Sequence, residues 1–278
     1  HHNPSKATIE AFLSKGYVPR DHLDIAREHG LVDLEAAAKV TGSRFYYLMR
    51  EAALLEMALI NFSMQKLVSK GFIPVLSPDL SKTAVVEGAG FQSKDEKTLD
   101  QHIYQVQNSD LSLVATAEIP MAGRFLNEVI PEAQLPIKTV AFSHCFRTEA
   151  GRGGSQVKGL YRVHQFSKVE MFVVCTPQQA EDLHQEIIEI EKEIFSDLGL
   201  NFRVLDMPTL DLGAPAFRKV DIEACMPGRA LTLRRAAIAN DMIKHGGKPD
   251  ALKTMEHLLT TIEDVQGTED AWGEISSA

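Results

Sequence analysis

The 278-residue sequence carries no excess of positive charge: 29 Lys and Arg stand against 38 Asp and Glu, a net charge of −9. Nonspecific affinity for polyanions through net charge is thereby excluded, and any anion has to be met by a local group of cations. Cysteine is scarce and odd in number, with Cys145, Cys175 and Cys225 scattered along the chain. That spacing offers neither a disulfide framework nor a paired metal-ligand motif, and it points to a reducing compartment. No run of about 18 apolar residues occurs, so no helical membrane span is expected. The N-terminus also lacks a charged-then-apolar signal pattern. Absent too are a Walker loop and a GxGxxG before a helix, so a nucleotide site has to be built from side chains on a sheet. With 44% hydrophobic residues, the chain can still bury a sizeable core, as one large domain or one domain plus an appendage.

The order of elements is helix, strands, helix, strands. Asp33 to Val40 reads as a short helix. Arg50 to Gly71 reads as a long amphipathic one, with Leu54, Leu55, Ala58, Leu59, Phe62, Leu67 and Val68 as its apolar stripe. Gly71 is expected to end that helix as a C-cap glycine. Strands are expected at Phe72 to Leu76, with Pro78 at an edge or strand end, and at Leu111 to Ala117, Thr139 to Ser143, Phe202 to Leu205 and Val220 to Met226. Pro177 to Leu198 is the second clear helix, opened by its proline and followed by Gly199. Regular crossovers of a doubly wound sheet are missing, so an α+β fold with an antiparallel sheet flanked by helices is favoured.

The densest chemistry lies in a long-looped hairpin, Phe142 to Glu149 followed by Tyr161 to Val174, joined through the Gly-rich loop that runs to Gly159. Alternate strand residues share a face, so Arg147 and Glu149 are expected to point one way, together with Arg162, His164, Phe166, Lys168 and Glu170. Such a face can grip a nucleotide: the arginine fork meets phosphate oxygens, a glutamate accepts from an amine, and the aromatic ring stacks on a base. The same composition also suits a solvated sheet face laced with ion pairs, among them Arg147 with Glu149. His164 shares the face by parity but has no visible partner, and is read as structural.

The long helix ending in Gly71-Phe72-Ile-Pro-Val-Leu-Ser-Pro78, the Phe146-Arg147-Thr-Glu149 segment and the Arg162-Val-His-Gln-Phe-Ser-Lys-Val-Glu170 strand resemble motifs 1 and 2 of class II aminoacyl-tRNA synthetases. Within that class the chain resembles the seryl-tRNA synthetase family. Ala38-Lys-Val-Thr-Gly-Ser-Arg-Phe45, Thr116-Ala-Glu-Ile-Pro120, Asp211-Leu-Gly-Ala214, Val220-Asp-Ile-Glu223 and Gly273-Glu-Ile-Ser-Ser-Ala278 follow in the family's order. The resemblance implies a serine--tRNA ligase that forms seryl-adenylate from L-serine and ATP and transfers the seryl group to tRNA(Ser). It implies that Arg147 bridges the α-phosphate and the serine carboxylate, that Glu149 accepts from the adenine amino group and that Phe166 stacks on the ring. It further implies that Lys168 adds positive potential near the phosphates, that Thr116, Glu118 and Glu170 read the serine, and that Glu274 with Ser277 hold Mg²⁺ against the ATP phosphates. Motif 1, Glu51 to Lys70 with the strand to Pro78, implies a homodimer, and the Gly151 to Gly159 loop is assigned to the acceptor end of tRNA.

The chain divides on this reading into a catalytic domain over residues 1–229, a helical hairpin or displaced arm segment over 230–271, and a returning catalytic strand over 272–278. Neither the family's N-terminal coiled-coil arm nor motif 3 is recognisable. The retained charged set favours the active ligase over a catalytically inactive, synthetase-like protein acting in assembly or RNA binding. The cytoplasm and the mitochondrial matrix both suit free cysteines.

Overall fold

A computed structural model describes residues 19–91, 103–149, 159–213, 216–226, 228–229 and 272–278. The segment expected to form a helical hairpin, 230–271, lies outside the described residues, as does all of the hairpin loop before Gly159. The chain forms two compact units, Gly30–Ile194 with Leu212–Phe217, and His1–His29 with Phe195–Asp211 and Arg218–Ala278.

In chain order the elements are α1 (His22–Glu28), β1 (Val32–Asp33), α2 (Leu34–Val40), β2 (Tyr47–Leu48), α3 (Glu51–Ser69), β3 (Ile73–Leu76), β4 (Leu80–Lys82), α4 (Thr83–Gly88), β5 (Leu111–Leu113) and α5 (Glu118–Gly123). They continue with β6 (Ile137–Phe146), β7 (Gln165–Val174), α6 (Pro177–Asp197), β8 (Phe202–Asp206), β9 (Val220–Cys225) and β10 (Trp272–Ser277). The α+β class is as expected.

The larger unit is built on a three-stranded sheet of order β3-β6-β7. β6 and β7 pair antiparallel over ten residues each. The antiparallel expectation fails at one edge, because β3 runs parallel to β6, with Ile73 opposite Thr139 and Leu76 opposite Phe142. A parallel neighbour needs a long crossover, and the stretch from β3 to β6 through α4, β5 and α5 supplies it. On this sheet Met121 of α5 joins Ala117, Ala141, Val75 and Phe172 in one apolar cluster. A second cluster gathers Val86, Ile103, Val114, Ala115 and Ile119 under α4 and α5.

Helix α3 ends as its glycine requires. Lys70 is the cap residue, Gly71 has φ +90°, and the N–H groups of Gly71 and Phe72 donate to the carbonyls of Val68 and Leu67 at 3.0 and 3.1 Å. This is the paired closure of a Schellman end. The apolar stripe expected along α3 is not buried within the chain: Leu67 alone is fully buried, whereas Leu54, Leu55, Leu59 and Val68 are exposed. Helix α2 starts one residue later than expected because Asp33 is its cap, its carboxylate accepting from the Ala36 N–H at 2.8 Å.

The smaller unit carries a second sheet of order β10-β9-β8, antiparallel throughout. All three cysteines are free. No helix among the described residues is long and apolar enough to cross a membrane.

Candidate functional site

The antiparallel register of β6 and β7 decides which residues meet. Ala141 lies opposite Glu170, Ser143 opposite Lys168 and Cys145 opposite Phe166. Here β6 contributes the small residues Ala141, Ser143 and Cys145, all fully buried, while β7 contributes the large and charged ones. The result is a floor of small side chains beside a row of Phe166, Lys168 and Glu170. The signal for that floor in the sequence is the alternation of the small residues Ala141, Ser143 and Cys145 with larger ones. Burial pushes the Cys145 thiol up, which leaves it a neutral packing group.

Thr116 enters this face from the segment between β5 and α5. Rather than lying in a strand, as expected for Leu111 to Ala117, it follows a β5 that stops at Leu113. Its buried hydroxyl donates to Glu170 Oε2 at 2.5 Å and accepts from the Glu118 N–H at 3.3 Å. One hydroxyl thus ties the start of α5 to β7, using its single donor and one of its two lone pairs. Lys168 Nζ forms an ion pair with the same Glu170 oxygen. Glu118 is half-buried beside them. Burial is the main reason its carboxyl is held above the ordinary range; the Glu170 charge adds to the shift and Lys168 opposes it. The structure therefore brings Thr116, Glu118, Lys168 and Glu170 together as one small polar cluster.

Arg147 lies one residue beyond the end of β6. Its guanidinium sits over the Phe166 ring, 5.0 Å from the centroid, and it makes no ion pair among the described residues. The ion pair weighed between Arg147 and Glu149 is not formed; the side chain of Glu149 is buried and pairs with Arg162 Nε. The strand alternation expected to run through Arg162 and His164 also fails, because β7 begins only at Gln165 and Glu149 adopts a positive φ of 54°. His164, read as lacking a partner, has several. Its Nδ1 is 2.9 Å from both the Arg147 carbonyl oxygen and Tyr104 Oη, and its ring stacks on Phe45. Tyr104 and Phe45 are distant in sequence, and no motif in the sequence couples them to His164.

In the smaller unit Glu274 faces Glu223 and Ser277 faces Asp221 across the β9–β10 ladder. A regular strand would put residues three apart on opposite faces. A register shift between Glu274 and Ser276 restores them to one side, since Glu223 and Asp221 are alternate residues of β9. Arg203 Nε donates to Glu223 at 2.6 Å and its guanidinium lies 4.8 Å from the Trp272 ring centroid, while Lys219 Nζ is 2.8 Å from Asp221. The buried oxygens Asp221 Oδ1 and Ser276 Oγ have no hydrogen-bond partner among the described residues. No group of three or more His, Cys, Asp or Glu suited to a metal occurs among the described residues.

A model of the class II core domain of tRNA synthetases (G, H, P, S and T) matches residues 102–255. The serine--tRNA ligase of Rubrobacter xylanophilus is 48% identical over 214 residues, which is 77% of this chain and 50% of that protein. The serine--tRNA ligase of Dictyoglomus turgidum is 49% identical over 213 residues, 77% of this chain and 49% of its own. Among solved structures, seryl-tRNA synthetase from Pyrococcus horikoshii, complexed with ATP, is similar at a TM-score of 0.72 and 41% identity, covering 80% of this chain and 51% of that one. The cytoplasmic serine-tRNA ligase from Naegleria fowleri, in complex with AMP, gives a TM-score of 0.72 at 32% identity, covering 77% and 50%. The chain spans about half the length of the curated relatives it matches.

Proposed function

Because the chain belongs to the class II core family of tRNA synthetases (G, H, P, S and T), we propose that it is the catalytic portion of a serine--tRNA ligase. The reaction joins the carboxylate of L-serine to the α-phosphorus of ATP, expels pyrophosphate, and passes the seryl group from seryl-adenylate to the terminal adenosine of tRNA(Ser). One observation carries the serine reading: the hydroxyl of Thr116 and the carboxylates of Glu170 and Glu118 converge beside the face that holds Arg147. A polar cluster with a hydroxyl and two carboxyl groups suits an ammonium and a short hydroxylated side chain, and it penalises an analogue that leaves those groups unpaired.

Arg147 is the cation proposed to bridge the α-phosphate and the serine carboxylate. Its contact with Phe166 does not oppose this. A cation–π contact of this kind is worth about 0.5–1 kcal/mol. A charge-assisted hydrogen bond to an oxyanion is worth roughly 1.5–3 kcal/mol, so the guanidinium gains by turning from the ring to phosphate. Phe166 is then free to stack on adenine, and Lys168 raises the local positive potential. Glu149, oriented by Arg162, is proposed to accept from the adenine amino group.

Glu274 and Ser277 are proposed to hold a hard divalent cation, because the register shift sets a carboxylate and a hydroxyl, both oxygen donors, on one face. Mg²⁺ bound there would neutralise charge on the ATP phosphates, with the phosphates and water completing its shell. The exposed apolar residues of α3, and Ile73 and Leu76 of β3, are proposed as the homodimer surface. Residues 1–229 with the returning strand 272–278 are proposed as one catalytic domain, with 230–271 inserted between them.

Serine-dependent exchange of labelled pyrophosphate into ATP tests the reading. The protein is expected to exchange with serine and not with alanine, and Arg147→Ala is expected to lower kcat by about 10²–10³-fold. No exchange from folded protein with serine and Mg²⁺ present would remove the ligase reading and leave a noncatalytic role.

A further inference from the structure

We propose that His164, braced by Phe45 and Tyr104, is a positioning residue that clamps the backbone of Arg147 and thereby fixes where its guanidinium reaches. The inference rests on the reading of Arg147 given above and adds to it a residue outside the substrate-contacting set.

The ordered ladder of β6 and β7 ends at Phe146 opposite Gln165. One step further, the Arg147 N–H still donates to the His164 carbonyl at 2.9 Å. In a regular antiparallel pair the His164 N–H would return a bond to the Arg147 carbonyl. That N–H is instead turned to the Arg44 carbonyl, 3.1 Å away. The Arg147 carbonyl faces the imidazole, with Nδ1 at 2.9 Å. A side chain has taken the place of the missing backbone donor.

The chemistry assigns the tautomer. A carbonyl only accepts, so Nδ1 carries the proton. Tyr104 Oη lies 2.9 Å from the same nitrogen and, with Nδ1 protonated, can only accept there. Phe45 holds the ring plane, stacking at a centroid distance of 5.1 Å and an interplanar angle of 21°, and Tyr104 closes its edge at 6.2 Å. Arg44 ties the next turn as well, its Nη1 donating to the Glu149 carbonyl at 3.4 Å. The residue on which phosphate and serine are to be aligned therefore hangs from a strand end that side chains complete. A displacement of about 1 Å at such a residue costs on the order of 10²-fold in rate. A clamp on its peptide thus acts on kcat more than on binding.

Three substitutions separate this role from simple packing. Asn at 164 offers an amide N–H at the place of Nδ1, Gln offers one at the place of Nε2, and Ala offers none. In serine-dependent pyrophosphate exchange, His164→Gln and His164→Ala are expected to lose roughly 30-fold or more in kcat with KM for ATP changed less than about threefold. His164→Asn is expected to stay within about fivefold of the parent. If the alanine variant does not fold, the comparison of the two amides decides.

A second readout needs no activity. Long-range ¹⁵N–¹H spectra of histidine-labelled protein, with His164 assigned by its loss in His164→Asn, are expected to show Nδ1 protonated. An Nε2-protonated ring overturns the proposal, as does an asparagine variant no better than glutamine or an alanine variant equal to the parent. If the parent protein fails to exchange at all, the ligase reading falls by itself and the tautomer still decides the clamp.

Discussion

Glu118 sits half-buried at the first turn of α5, close to the carboxylate of Glu170 and the ammonium of Lys168. Burial and the Glu170 charge raise its carboxyl above the ordinary range, so between its unfolded and folded titration points the folded chain holds a proton that the unfolded chain has released. Stability contributed by this group is present below the unfolded value and is lost as pH rises through the folded one. Glu118→Gln is therefore expected to melt higher than the parent at neutral pH, and the gain is expected to vanish in acid. Thermal denaturation of both proteins across the pH range checks this, and a gain that grows toward acid would reverse the assignment. A cationic amine bound beside Glu118 offsets the same cost, so the destabilised carboxylate is the kind of group a serine site needs. Thr116 and Glu118 were legible as a Thr-x-Glu block. Their convergence on Glu170 was not, because it depends on how far β5 runs before the chain turns into α5.

Elements whose ends carry punctuation are readable from sequence, and α3 and α6 show why. Pro177 starts α6 and Gly199 with φ +67° follows it, while Gly71 with φ +90° closes α3. An added Cβ at Gly71 meets no atom within 4 Å. The cost of Gly71→Ala is therefore conformational rather than steric, about 1 kcal/mol. Urea denaturation is expected to show that loss with an unchanged m-value, and a neutral result would mean the chain leaves α3 by another path. Irregular strands are the opposite case. Reading β7 from Tyr161 assumes that alternation persists through Arg162 and His164, but a tertiary bond to Arg44 diverts the backbone before the strand begins. The pairing of Glu274 with Ser277 on one face rests on a register shift in β10, which a period-two pattern does not reveal.

At the scale of the whole molecule the exposed apolar surface asks for a partner. Leu54 and Met57 on α3 and Leu76 on β3 are 67%, 68% and 84% exposed, although the sequence marks α3 as amphipathic. The stripe was legible and the surface it covers was not, because a single chain's hydrophobic pattern does not distinguish its own core from that of an assembly. Sedimentation equilibrium is expected to give a dimer at micromolar concentration. Leu54→Glu combined with Leu76→Glu is expected to weaken association by at least about 10²-fold, since each change places a charge in the proposed dimer contact. A parent protein that stays monomeric would leave this surface for some other occupant.

The floor of Ala141, Ser143 and Cys145 has a consequence for how such a site can diversify. On the proposed reading β7 holds the groups that would recognise a substrate, whereas the side chains opposite them on β6 are small and buried. If that reading holds, selectivity for charge and the packing beneath it are inherited on separate stretches of the chain. A single enlargement on β6 would then press on the proposed site from below without replacing any group assigned to binding.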